Sequence, residues 1–154
     1  MDHHAQAPTT DGVAALRTSL RGRFLEPGDD GYNAARVVWN GMIDRRPAFI
    51  ACCAGVADVI ESVAFARRHA LPLSIRGGGH NVAGYAVCEG GLMIDLSAMR
   101  AVRVDPGARR AWVQGGALWG DVDRRTRRDN GTVADPATSW STEACAPSRP
   151  HTRA

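Results

Sequence analysis

The sequence predicts an α+β fold, and three observations carry that prediction. Short apolar runs recur between glycine and proline punctuation, while other stretches repeat their apolar residues at helical spacing. Residues 48–76 join the two patterns in one strand-helix-strand unit of about thirty residues.

Asp11 is placed to cap a first helix in which Val13, Leu16, Leu20 and Phe24 share a face, and Pro27-Gly28-Asp29-Asp30-Gly31 ends it. Residues 32–40 read equally as a short helix or an extended segment. Asp44-Arg45-Arg46-Pro47 forms a turn before an apolar strand at 48–53. Val56, Val59, Ile60, Val63 and Ala64 then repeat at helical spacing as far as His69, and a second strand covers 73–76. A third strand at 92–95 precedes two more, 102–104 and 111–114, joined by the Asp105-Pro106-Gly107 turn. Residues 117–128 form an amphipathic helix with Leu118, Trp119 and Val122 as its buried positions. Past Val133 the chain has no Val, Ile, Leu, Met or Phe, so residues 134–154 are expected to be disordered, with Trp140 as their large apolar group. Three segments result: a leader and helix at 1–31, a folded body at 32–133 and a tail at 134–154.

At 154 residues the chain is about one domain long, and an apolar content of 44% is enough for a core. The net charge of +3 is small and scattered. Arg124, Arg125, Arg127 and Arg128 alternate with Asp121, Asp123 and Asp129, which describes a solvated helix face rather than a nucleic-acid surface. All basic residues are arginine, a mark of coding bias rather than of function. No apolar stretch approaches the ~18 residues of a membrane span and the first residues lack a signal-peptide core, so a cytoplasmic location is expected. Cys52, Cys53, Cys88 and Cys145 form neither a CxxC pair nor a disulfide framework, and no metal site is expected.

The stretch most informative about chemistry is Arg76-Gly77-Gly78-Gly79-His80-Asn81, directly after a strand. Consecutive glycines let backbone amides approach an anion, Arg76 adds charge, and a histidine behind them supplies a nucleophile. Neither GxGxxG nor GK[ST] is present, so a dinucleotide fingerprint and a P-loop are excluded. A pyrophosphate cradle and a glycine-rich turn with an incidental histidine both remain open on the motif alone. Two further pairs, Gly90-Gly91 and Gly115-Gly116, lie at strand ends and are consistent with several loops converging on one extended ligand.

RGGGHNVAG, GGLMIDLSAM and VQGGALWGDVD occur in this order, and from about residue 32 to about residue 131 the chain resembles the N-terminal FAD-binding portion of the berberine-bridge-enzyme-like oxidoreductases. These belong to the vanillyl-alcohol-oxidase type, with a PCMH-type FAD-binding domain. The resemblance implies that Arg76, Gly77, Gly78, Gly79, His80 and Asn81 bind the FAD pyrophosphate. It also implies that His80 is joined covalently to the C8 methyl of the flavin, and that Gly84, Gly115 and Gly116 line the same cleft. A neutral imidazole is a competent nucleophile for such a bond. In complete members a small organic substrate bearing a hydroxyl or similar group gives hydride to the flavin, and oxygen commonly reoxidises it. The resemblance places the catalytic base and substrate pocket outside this stretch, so the catalytic residues are unknown.

After Asn130-Gly131-Thr132-Val133 the chain departs from the family's next glycine-rich segment. A truncated or frameshifted reading frame is the expectation this raises, and a non-catalytic flavin-binding fragment is the alternative to an oxidoreductase. A pyrophosphate-binding module acting with a partner chain is a further alternative. Ala144-Cys145-Ala146-Pro147 lacks the surroundings of a second flavin-linking cysteine and reads as a free thiol.

Overall fold

The computed structural model describes residues 8–130. The expected tail, Trp140 and Cys145 lie outside the described residues. In chain order the elements are α1 (Thr10–Ser19), β1 (Arg23–Leu25), α2 (Tyr32–Arg36), β2 (Phe49–Cys52), α3 (Val56–Arg68), β3 (Leu73–Arg76), β4 (Leu92–Asp95), β5 (Val102–Asp105), β6 (Arg110–Val113) and α4 (Trp119–Asn130). The α+β class holds. A four-stranded sheet has the order β1-β2-β4-β3, with β2, β4 and β3 parallel and β1 antiparallel to β2; β5 and β6 form a separate antiparallel hairpin. The strand-helix-strand unit is present, but β4 lies between its two strands.

The strand alternation places apolar side chains on both faces of the sheet. Phe24, Ala51, Leu92 and Ile94 pack beneath Leu16, Leu20, Phe65 and Ala66 of the helical layer. Phe49 stacks on Phe24 at 5.6 Å and meets Phe65 edge-on at 6.2 Å. On the other face Leu25, Ile50 and Met93 pack against Tyr32, Val38, Ala86 and Val87. The Tyr32 hydroxyl donates to the Pro47 carbonyl at 2.6 Å, and burial pushes its pKa up.

Three expectations are corrected by tertiary contacts. Helix α1 starts two residues earlier, with Thr9 rather than Asp11 as its cap accepting from Gly12 at 3.2 Å, and it stops at Ser19 rather than continuing through Phe24. The spacing of Leu16, Leu20 and Phe24 suits a helix, but all three reach the same core because the chain turns after Leu20 and Phe24 lies on β1. The buried carboxylate of Asp58 makes that turn by accepting from the amides of Arg21 at 3.0 Å, Gly22 at 3.1 Å and Ala54 at 2.8 Å. Burial opposes the charge of Asp58, yet the amides outweigh it and hold its pKa below the ordinary value. On α3, Val56 and Ile60 are exposed, whereas Asp58, Ser62, Phe65 and Ala66 are buried. The Asp58 anchor rotates the helix away from the face its apolar periodicity predicts. On α4, Leu118 and Trp119 are exposed and Val122 is buried with Thr126.

Asp121 ties the hairpin to α4. Its carboxylate accepts from the Leu118 amide at 2.9 Å and twice from Arg100 at 2.8 Å, an arrangement that caps the helix and lowers the Asp121 pKa. No helix among the described residues is long and apolar enough to cross a membrane.

Candidate functional site

The loop after β3 begins where two parallel strands end in opposite charges. Register pairs Arg76 of β3 with Asp95 of β4, and their side chains form an ion pair at 3.2 Å. Asp95 is buried and also accepts the Ser97 amide at 2.9 Å. The Arg76 side chain is turned inward beneath the loop: a Cβ added at Gly79 would lie 3.3 Å from its Nε. That Nε is buried and lacks a hydrogen-bond partner. The charge on Arg76 is therefore largely spent on Asp95, and the guanidinium supports the glycine turn from below.

Above it, no hydrogen bond among the described residues uses the amides of Gly77, Gly78, Gly79, His80 or Asn81. Gly79 has a φ of 74°, the left-handed region where a side chain is strained, and so reverses the chain here. A run of amides without such bonds around a left-handed turn is the kind of backbone that can receive an anion. Gly77 touches the neighbouring loop so closely that a Cβ would fall 2.4 Å from the Gly115 carbonyl oxygen. Gly78 faces His80 and Leu118. The loops after β3 and β6 therefore meet at glycine, as one expected convergence requires.

Gly116 is buried, and its amide donates to Met99 at 3.0 Å, so it packs rather than presents a donor. Gly84 is buried against Ile43 and closes the far side of the loop. Gly90 and Gly91 precede β4, at the opposite end of the sheet from Gly77; a Cβ on Gly91 would lie 2.1 Å from the Pro72 carbonyl oxygen. The expected convergence of all three glycine pairs is thus corrected: parallel strands put the start of β4 and the end of β3 at opposite edges.

His80 is exposed at the rim of the cradle. A segment the motif search passed over holds its loop. The Trp39 amide donates to the Gly79 carbonyl at 3.0 Å, Asn40 Nδ2 to the Val82 carbonyl at 2.9 Å, and Arg45 Nη1 to the carbonyls of Gly84 at 3.0 Å and Val87 at 3.1 Å. Asn81 Oδ1 accepts the Tyr85 amide at 3.0 Å, so this side chain shapes the loop. The Trp39 ring lies 6.3 Å from the His80 ring. Trp39 and Arg45 carry no local sign of this role, and Asp95 is marked out only by the register that sets it beside Arg76.

Beyond Leu118 an apolar recess of about 250 Å³ is lined by Ala111, Val113, Ala117, Leu118, Trp119 and Val122. The cysteines are free thiols among the described residues, and burial pushes Cys53 up to about 11, which makes it a poor nucleophile. Among the described residues no three His, Cys, Asp or Glu side chains gather as a metal site.

A mixed sheet ending in an amide cradle, with an exposed histidine and an apolar recess nearby, defines a protein that can hold a phosphorylated, ring-bearing cofactor. Residues 47–143 match the family described as FAD binding domain, and the chain belongs to that family of FAD-linked oxidoreductases. Over 108 residues it is 38% identical to (R)-6-hydroxynicotine oxidase of Paenarthrobacter nicotinovorans, covering 70% of this chain and 24% of that protein. The crystal structure of 6-hydroxy-D-nicotine oxidase from Arthrobacter nicotinovorans superposes with a TM-score of 0.68 at 36% identity, covering 71% of this chain and 24% of that one. Physcomitrella patens BBE-like 1 shares the fold, with a TM-score of 0.70 at 23% identity over 76% of this chain and 26% of its own. The chain spans about a quarter of the length of the curated relatives it matches.

The residues present fit FAD. The amides of Gly77 to Asn81, which no hydrogen bond among the described residues uses, suit its pyrophosphate, and His80 stands exposed at the end of that run.

Proposed function

We propose that this chain holds FAD for an oxidoreductase that takes hydride from a hydroxyl-bearing or similar organic substrate. The observation that carries the reading is the unspent amide run from Gly77 to Asn81 with His80 exposed at its end. The amides bind the pyrophosphate by hydrogen bonds to oxygen anions. Arg76, paired with Asp95, keeps the turn in shape. Gly115 packs against Gly77 and holds the two loops together beside the amide run.

His80 forms a bond from a ring nitrogen to the flavin C8 methyl; the imidazole N–H and one methyl C–H are lost as two protons, and two electrons are left for oxygen to remove. The tether prevents cofactor loss. When bound, FAD supplies the two-electron acceptor for hydride, with oxygen as the terminal oxidant. The chain's relatives include a 6-hydroxynicotine oxidase and a glucose dehydrogenase, which supports an oxidisable C–H beside oxygen or nitrogen in the substrate.

The test is to reconstitute the purified chain with FAD, precipitate it in acid and record its visible spectrum. Yellow colour is expected to stay in the pellet of the wild type and to be washed from that of His80→Ala. A wild-type pellet without flavin would overturn the tether.

A further inference from the structure

We infer that Trp39 is a positioning residue for the tethered cofactor, its indole packing against the dimethylbenzene end of the flavin. The inference rests on His80 as the attachment point and names the wall that sets the ring's angle there. Trp39 is 68% exposed, and Met42 on its own segment and Val82 and Tyr85 on the loop bonded to that segment are exposed as well, so the indole belongs to an apolar patch rather than standing alone. Its backbone is fixed all the same. The amide bonds to Gly79 within the glycine turn, and the next side chain, Asn40, bonds to Val82 beyond His80 while accepting the Met42 amide at 3.1 Å.

The segment from Val38 to Met42 is thereby stitched to both flanks of His80, with Val38 buried as its anchor in the core. The indole and imidazole planes are inclined by 40° with centroids 6.3 Å apart, so they are neighbours but do not stack on each other. A group bonded to the His80 ring comes within reach of the indole face. Flavin attached through C8 presents its dimethylbenzene edge first, and a flat apolar edge beside an indole gains offset stacking and loses water-exposed surface. Val82 and Tyr85, also exposed on the loop, extend the apolar surroundings. Because so little of the indole is buried in the chain itself, its removal leaves the core intact.

The experiment follows covalent incorporation of FAD into the full chain by in-gel flavin fluorescence, together with the visible circular dichroism of the bound flavin. Wild type, Trp39→Phe and Trp39→Ala are compared. The expected result is that Trp39→Ala attaches FAD roughly tenfold more slowly, the size of one lost aromatic contact, and that its flavin dichroism changes. Trp39→Phe should stay within about threefold of wild type on the same basis. Urea midpoints are expected to agree among the three, which separates positioning from folding. If Trp39→Ala incorporates FAD at the wild-type rate with unchanged dichroism, the Trp39 inference fails while the His80 tether stands. If the wild type incorporates none, both fall.

Discussion

Two glycine loops sit at opposite ends of one sheet, and they use glycine for different reasons. At Gly91 the missing side chain makes room for protein: the Pro72 carbonyl occupies the space, and the Leu92 amide donates to the same oxygen at 2.8 Å. Gly77 also makes room for backbone, its Cβ position lying 2.4 Å from the Gly115 carbonyl oxygen, but no hydrogen bond among the described residues uses the amides of Gly77 to Gly79, and Gly78 meets only the side chains of His80 and Leu118. The first loop joins strands. The second keeps donors for the cofactor proposed above.

The comparison breaks most sharply at Gly91→Ala. A Cβ forced onto the Pro72 carbonyl at a strand start is expected to cost more than about 3 kcal/mol, read as a lower urea midpoint. Asp95→Asn follows at about 3 kcal/mol, because it strands the Arg76 guanidinium, and the cost should appear together with weakened FAD retention. Replacing Arg76 as well should recover part of the stability but none of the retention. Outside both loops, Asp58→Asn should cost about 2 kcal/mol at neutral pH through lost charge-assisted bonds.

Asp58 also sets an acid dependence. Its folded pKa is lowered, so its contribution is full above the unfolded value of about 4 and is lost as pH falls through the folded one. Asp58→Asn should flatten that acid limb in denaturation curves taken across the range. The smallest effect is expected for Gly78→Ala. Its Cβ would meet only movable side-chain atoms at 3.2 Å, so stability should change by less than about 0.5 kcal/mol while FAD affinity falls measurably. Equal stability losses for Gly78→Ala and Gly91→Ala would erase the distinction between the loops.

Much of the strand content was legible because short apolar runs between glycines and prolines have few alternatives: β3 and β4 appear where the sequence predicts them, and β2 differs only at its ends. The cradle was legible too, since three adjacent glycines before a histidine restrict what the backbone can be doing. Strand β1 was not. Phe24 continues a helical spacing, and only the Asp58 carboxylate, 34 positions later, turns the chain out of the helix. The direction of Arg76 was equally hidden, because a lone arginine beside an anion loop is as consistent with binding as with support.

By itself, the sequence determined which stretches could be strands and helices, and which loop could present bare amides beside a nucleophile, because periodicity and glycine act locally. The tertiary structure alone decided that Gly115 joins that loop and Gly91 does not, that Asp95 claims Arg76, and that Trp39 stands beside His80. Each of those pairings is set by strand order and register, which bring together residues whose separation along the chain carries no signal of their contact.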